Sequence, residues 1–277
     1  MPELPEVETL RRDAEALLLG RGIVAARVLL PAVLRSPSPE RFVERVQGAR
    51  FSGARRRAKY LLLDLDRGDT FVVALALYGQ LLLCTKDQVP PTGVLVHLAL
   101  DNGEALVAVD PAHFTRLWLV PTPELEAALG FDKLGPEPLA PEFTPALLAQ
   151  RLDKRRARLK ALLLDQHVVA GLGNIYVDEA LWRAQLHPAR TAASLNGAEI
   201  VRLHAAIQAV LREGIADRGT TFHTYRDLRG QPGHHQAQLA VFQRRGQPCP
   251  RCGTPIVWLR LASRDTFICP ACQPAPD

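Results

Sequence analysis

The sequence predicts an α+β protein of several domains: a helix and a β-sandwich first, helices next, and a small cysteine-bearing hairpin last. Three observations carry this. Apolar residues recur at helical spacing near the start, short apolar runs broken by turn signals fill 23–120, and two Cys-x-x-Cys pairs follow a helical stretch near the end. At 277 residues the chain can hold two domains, each with its own core.

Val7, Leu10, Ala14 and Leu17 share one helical face, and Gly20 is placed as a stop, so a helix is expected over 5–19. Strands are expected at 23–30, 60–65, 71–77, 81–84, 94–100, 105–109 and 117–120, with Asn102-Gly103 as a hairpin signal. Arg55-Arg56-Arg57-Ala58-Lys59 reads as a basic loop before the strand at 60, with Lys59 placed to meet an anion. Six prolines within 121–150 suggest a stiff linker, which gives units at 1–120, 121–144, 145–240 and 241–277.

Thr144-Pro145 is a helix start. Six basic residues and one acidic residue lie in 151–160, ahead of Gly171-Leu172-Gly173-Asn174. A glycine turn opening a helix can present backbone N–H groups to a phosphate, and Asn174 suits either an N-cap or a phosphate contact. A further helix is expected from a cap at Asn196, with Glu199 three residues on, through Ile200, Leu203, Ile207 and Leu211. The polar stretch 218–238 reads as a long functional loop. Its His234-His235 pair lacks metal-ligand spacing.

A net charge of +5 and a pI of about 9.1 favour an anionic partner, nucleic acid first. Asp64, Asp66, Arg67 and Asp69 interrupt the most apolar segment, so no run spans a bilayer, and the N-terminus does not read as a signal peptide. Cys249, Cys252, Cys269 and Cys272, with sixteen residues between the pairs, read as a tetrahedral four-thiolate zinc site. Such a site is structural, because no ligand position stays open. Cys84 reads as a buried strand residue without a role.

The most chemical stretch is the start. Removal of Met1 would leave Pro2 as a secondary amine with a pKa of about 8, against about 10 for a lysine. Such an amine attacks an aldehyde-level carbon to give an iminium, and Glu3 beside it is suited to proton transfer. The same residues also suit a helix first turn.

Together these blocks resemble the formamidopyrimidine-DNA glycosylase family of bacterial base-excision repair enzymes. The resemblance spans nearly the whole chain. It rests on Pro2-Glu3-Leu4-Pro5-Glu6-Val7-Glu8-Thr9, Arg57-Ala58-Lys59-Tyr60, Leu134-Gly135-Pro136-Glu137-Pro138-Leu139, Gly171-Leu172-Gly173-Asn174-Ile175-Tyr176, Gly219-Thr220-Thr221 and the four cysteines around Gly253-Thr254-Pro255-Ile256. It implies an N-terminal helix on a β-sandwich, a helix-two-turn-helix domain, a zinc hairpin, and DNA in a basic cleft with the damaged nucleotide flipped out.

It implies catalytic roles for Pro2, Glu3, Lys59 and Arg264. DNA contacts fall to Lys59, Phe114, Arg155, Lys160, Asn174 and Arg264, and lesion recognition to Glu6, Leu77, Thr220 and Thr221. Pro2 would attack C1′, expel an oxidised purine such as 8-oxoguanine or a formamidopyrimidine, and cut the strand by β,δ-elimination. One structural zinc, a monomeric protein, double-stranded DNA bearing damaged bases or abasic sites as partner, no membrane, and a bacterial cytoplasmic, nucleoid-associated location complete the expectation.

The chain departs from the family pattern at the wedge. Leu77 stands where a methionine is usual, and Ala112 where an arginine contacts the base opposite the lesion. Leu95 stands where a DNA-binding histidine is frequent. Alanine donates no hydrogen bond to an orphaned cytosine, so opposite-base selectivity is expected to be weak. The alternatives are a damage-binding protein with feeble or no glycosylase activity, and a preference for oxidised pyrimidines as in the endonuclease VIII branch.

Overall fold

The computed structural model describes every residue except Val89, Pro91 and Asp277. The chain forms two compact units, Met1–Asp132 with Ile215–Gln236, and Lys133–Gly214 with Ala237–Asp277. The segment 215–236 thus belongs with the N-terminal residues, which a contiguous division of the sequence does not provide for.

The first unit opens with α1 (Leu4–Leu18). The Glu3 N–H donates to the Glu6 carboxylate at 2.8 Å and Pro5 lies in the first turn, two features that start a helix. Val7, Leu10, Ala14 and Leu18 form its buried stripe. Gly20 then adopts φ +77°, and its N–H reaches the Phe51 carbonyl at 2.8 Å.

The strands that follow are β1 (Ile23–Val28), β2 (Leu34–Ser36), β3 (Phe51–Arg57), β4 (Tyr60–Leu65), β5 (Asp69–Ala74), β6 (Gln80–Thr85), β7 (Val94–Leu100), β8 (Glu104–Val109) and β9 (Arg116–Pro121). They form a four-stranded sheet in the order β1-β7-β8-β6 and a five-stranded sheet in the order β2-β9-β5-β4-β3. Leu83 and Leu98 of one sheet, Phe71 and Leu117 of the other, and Leu10 and Ala14 of α1 share one core. The expected helix on a β-sandwich is what the chain builds.

Three local expectations need correction. Within the stretch read as strands only, residues 39–46 form α2 (Pro39–Val46). Ser38 caps it, Pro39 opens it, and Phe42 and Val46 bury its inner side. Arg55, Arg56 and Arg57 lie inside β3, not in a loop. Arg55 forks onto Asp64 of the paired strand at 2.6 Å, Arg56 reaches Glu8, and Arg57 donates to the Phe131 carbonyl. Only Ala58 and Lys59 form the β3–β4 turn, with Ala58 at φ +51°. Finally, the stretch read as a linker includes α3 (Leu125–Leu129), and the buried Phe131 ring lies 5.1 Å from that of Tyr60.

The second unit holds α4 (Pro145–Leu152), α5 (Leu159–Leu164), α6 (Asn174–Arg183), α7 (Gly197–Ala216) and the antiparallel hairpin β10 (Val257–Leu261) and β11 (Arg264–Ile268). Thr144 caps α4. Asn196 and Glu199 exchange side-chain-to-backbone bonds at 2.9 Å ahead of α7, and Leu203, Ile207 and Leu211 are buried along it. The N-terminal cap of α6 is Gly173, so Asn174 is its first helical residue and not its cap. No helix among the described residues is long and apolar enough to cross a membrane.

Candidate functional site

In the first unit, Pro2 and Glu3 are buried at the mouth of α1, while Met1 is exposed. With Met1 attached, the Pro2 nitrogen is a tertiary amide and not a nucleophile. Glu6 joins this end of the chain to the segment 215–236. One carboxylate oxygen accepts the Glu3 N–H and the other accepts the Thr220 N–H, both at 2.8 Å. Gly219, at φ +84°, makes the approach possible, because a Cβ there would lie 2.9 Å from Glu6 Cγ.

The stretch 218–238, expected as a long loop, has only one 3-10 turn but is tied down along its length by side-chain bonds. Arg218 bridges Asp13 of α1 and Asp227. Tyr225 and Leu228 are buried in the sandwich core. Burial, with Glu6 close by, drives the Tyr225 phenol far above its ordinary range, so it stays neutral. The two ends of the segment meet. His235 donates its N–H to the Gly219 carbonyl at 3.0 Å, and its ring pairs with Asp217 at 2.8 Å. Thr220 is buried and Thr221 half-buried, with the Thr221 hydroxyl donating to the Tyr225 carbonyl.

Three large apolar side chains of this unit remain exposed on two neighbouring connections: Leu77 and Tyr78 in the β5–β6 turn, and Phe114 in the β8–β9 loop. The Asp110 carboxylate, fully buried, accepts the N–H groups of Ala112, Phe114 and Thr115 at 2.8–3.0 Å. That leaves the Phe114 ring 64% exposed on a backbone that is held still. Ala112 lines a pocket of about 490 Å³ with Tyr78, Gln80, Pro111 and Thr224. Lys59 is half-buried at the β3–β4 turn.

In the second unit Arg155 and Arg264 are exposed, and Lys160 is not. The Lys160 side chain is fully buried and its ammonium meets Asp178 at 2.7 Å, Thr266 Oγ1 at 2.8 Å and the Asp265 carbonyl at 3.0 Å. A DNA contact is expected of Lys160 from its sequence; placed here, its ammonium is taken up by these three partners and braces the hairpin next to Arg264. Burial pushes the Asp178 carboxyl up to about 7, against the pull of Lys160. Asn174 donates through Nδ2 to the same Asp265 carbonyl at 2.9 Å, and its Oδ1 is buried without a hydrogen-bond partner. Glu179 accepts the N–H groups of Ala240, Val241 and Phe242 at 2.9 Å, which fixes the approach to the cysteines.

The four cysteine sulfurs lie within 4.8 Å of one another, with Cys252 3.4 Å from Cys269 and 3.5 Å from Cys272. Four thiolates held tetrahedrally at about 2.3 Å from a zinc ion would stand about 3.8 Å apart, so the cluster fits that ion. The Trp182 indole N–H points at Cys249 Sγ from 3.4 Å, a donor from beyond the ligand set.

Comparison with known proteins agrees across the chain. Residues 1–117 match the formamidopyrimidine-DNA glycosylase N-terminal domain, 134–226 its H2TH domain, and 246–275 the zinc finger found in FPG and IleRS. A formamidopyrimidine-DNA glycosylase of Herpetosiphon aurantiacus is 48% identical over 99% of this chain and 100% of its own length. The chain belongs to the formamidopyrimidine-DNA glycosylase family.

The enzyme of that name from Pelotomaculum thermopropionicum is 46% identical over 99% of both chains. Among solved structures, the complex of Lactococcus lactis Fpg with DNA containing an abasic site superposes with a TM-score of 0.93. It is 33% identical and covers 99% of this chain and 100% of its own. A mutant of the same Fpg bound to DNA containing Fapy-dG superposes equally well, at 32% identity. The four-cysteine cluster is thus the structural zinc site of this family's finger.

Sequence reasoning missed Asp110, Asp13 and Asp227, which hold the backbone around the exposed Phe114 and the base of the 215–236 segment. Asp110 carried a faint signal, a turn-forming residue between a strand and Pro111. Asp13 carried none, since its partner Arg218 is 205 residues away.

Proposed function

We propose that this chain is a bifunctional DNA glycosylase and abasic-site lyase of base-excision repair, removing oxidised purines from double-stranded DNA. The observation that supports it most is the start of the chain. There Pro2 is buried just ahead of α1, with Glu3 next to it and Glu6 tying Glu3 to the Thr220 segment.

After Met1 is removed, the Pro2 amine attacks C1′ of the damaged nucleotide. The N–C1′ bond forms as the bond to the base breaks, and the base leaves carrying a proton. Opening of the sugar ring gives an iminium, and Glu3 moves protons at the sugar. The iminium acidifies C2′, so loss of that proton expels the 3′ phosphate, and δ-elimination expels the 5′ phosphate. Lys59, Arg155, Asn174 and Arg264 contact phosphates. Asn174 keeps a second Nδ2 hydrogen for this purpose beyond the one given to Asp265. Phe114 and Leu77 enter the base stack, and Glu6, Thr220 and Thr221 face the extruded nucleotide. The zinc holds the hairpin and takes no part in the chemistry. The protein works as a monomer on the DNA of a bacterial cytoplasm.

Borohydride trapping on duplexes bearing an abasic site or 8-oxoguanine tests this. Wild type is expected to give an adduct on both, lost in Pro2→Gly, with base excision lost in Glu3→Gln. DNA binding without any adduct would leave a damage-binding protein instead. A panel that adds oxidised pyrimidines separates the purine reading from the pyrimidine one.

Ala112 favours one further point. Its methyl group offers no donor at the pocket beside Phe114, so excision should discriminate weakly between cytosine and adenine opposite the lesion. Ala112→Arg should sharpen that ratio by roughly 1–3 kcal/mol, the worth of one good base contact. Strong discrimination by the wild type would contradict the point.

A further inference from the structure

Three connections of the first unit are tied in series by side-chain hydrogen bonds. Thr115, at the end of the loop that carries Phe114, accepts the Ala76 N–H at 3.3 Å through its hydroxyl. That links the Phe114 loop to the turn carrying Leu77 and Tyr78. The next link comes from the segment 215–236. The Thr224 hydroxyl donates to the Leu77 carbonyl at 2.7 Å, and the Thr224 carbonyl accepts from the Gln80 side-chain amide. Thr224 therefore grips the β5–β6 turn on both sides, across 147 and 144 residues of sequence.

Stability alone does not account for this grip. Tyr225 and Leu228 already anchor the segment in the core, Arg218 clamps its base to Asp13, and Glu6 holds Thr220. The Thr224–Leu77 bond lies at the solvent-exposed edge, where a hydrogen bond is worth about 1 kcal/mol, roughly fivefold, small beside those anchors. What the bond does fix is geometry. It sets the position of Leu77, an exposed apolar residue, against the segment that carries Thr220 and Thr221.

We propose that Thr224 is a positioning residue that couples insertion of Leu77 into the base stack to reception of the extruded nucleotide by the Thr220–Thr221 segment. The proposal rests on the reading of Leu77, Thr220 and Thr221 given above. Because both faces of the turn are held, displacement of Leu77 by the DNA carries directly to the segment, and the two events occur as one. Cleavage at an abasic site has no base to receive and does not draw on the coupling.

The test uses the full-length enzyme under single-turnover conditions, with 8-oxoguanine excision and abasic-site cleavage measured side by side. Thr224→Val removes the hydroxyl and keeps the shape, and Thr224→Ser restores the hydroxyl. Thr224→Val is expected to slow excision roughly fivefold or more, the scale of one lost hydrogen bond, while abasic cleavage stays within about twofold and Thr224→Ser recovers excision. In a Leu77→Ala background, which keeps the carbonyl but removes the wedge, Thr224→Val should add little. The proposal is overturned if Thr224→Val excises as fast as wild type, if it slows both substrates alike, or if its full effect persists without the Leu77 side chain. Absence of excision by the wild type would instead overturn the functional reading beneath it, and with it this coupling.

Discussion

The two units each present an exposed tip on a rigid base, and they build the base differently. In the first, Phe114 stands on a loop held by the Asp110 carboxylate, which is satisfied by three backbone N–H groups. In the second, Arg264 stands on a hairpin held by the buried Lys160–Asp178 pair and by four clustered thiolates. The first arrangement is held mainly by one side-chain carboxylate on backbone donors of its own loop. The second needs a metal and a counter-charge. Removing a partner from a buried ion pair leaves a bare charge in the interior, whereas a carboxylate on backbone donors keeps its partners for as long as the chain is folded. The second tip should therefore be the one sensitive to chelators and pH.

Metal removal should give the largest contrast. A structural zinc contributes on the order of 10–16 kcal/mol to the folding of small zinc domains. Chelation is therefore expected to abolish amide-exchange protection over β10 and β11 and to weaken DNA binding, with protection of the sandwich strands retained. Equal loss in both units would break the comparison.

Next in size is Asp178→Ala, which strands the Lys160 ammonium without its carboxylate. A loss of about 3–5 kcal/mol is expected in urea unfolding at a pH above 7, where the Asp178 carboxyl is ionised. The same pair sets the pH dependence. Burial, opposed by Lys160 and reinforced by Glu179, raises the Asp178 carboxyl from 3.8 to about 7. The folded chain therefore holds a proton that the unfolded chain releases, so this contribution to stability is full below the lower value and is lost as pH rises through the higher one. Asp178→Asn should flatten that slope, and an unchanged slope would move its origin elsewhere.

The smallest effect is expected at Asp110. Asp110→Ala leaves three N–H groups without their acceptor, at a cost of roughly 1–3 kcal/mol. Faster amide exchange at Phe114 and Thr115 and slower base excision are the expected signs, without chelator sensitivity. Stability equal to wild type would mean that water replaces the carboxylate at no cost.

What the sequence revealed follows the same division between local and distant causes. Helix α1 was legible because Val7, Leu10 and Ala14 repeat on one face and Gly20 ends them. The zinc cluster was legible because a four-thiolate site needs a fixed spacing, and α7 because Asn196 and Glu199 bond each other across three residues. The burial of Lys160 was not legible. Within a run of six cations it looks like surface, and its partners Asp178 and Thr266 are 18 and 106 residues away. Arg55 reads as loop until Asp64 is seen to face it across the β3–β4 ladder. The stretch 218–238 reads as a loop from its composition, and its anchoring is hidden because Asp13, Glu6 and Leu77, which hold it, belong to distant stretches. Helix α2 had a readable start in Ser38-Pro39, but its eight residues are too few to show a period among strands.

The central claim is that the second residue of this chain does the chemistry. The measurement that tests it most directly is mass spectrometry of the borohydride-trapped complex after digestion, reading which residue carries the sugar remnant. The account predicts a peptide that begins at Pro2, lacks Met1 and bears the remnant on the proline nitrogen. A remnant on Lys59 or another lysine, or a trapped chain that still carries Met1, would contradict it.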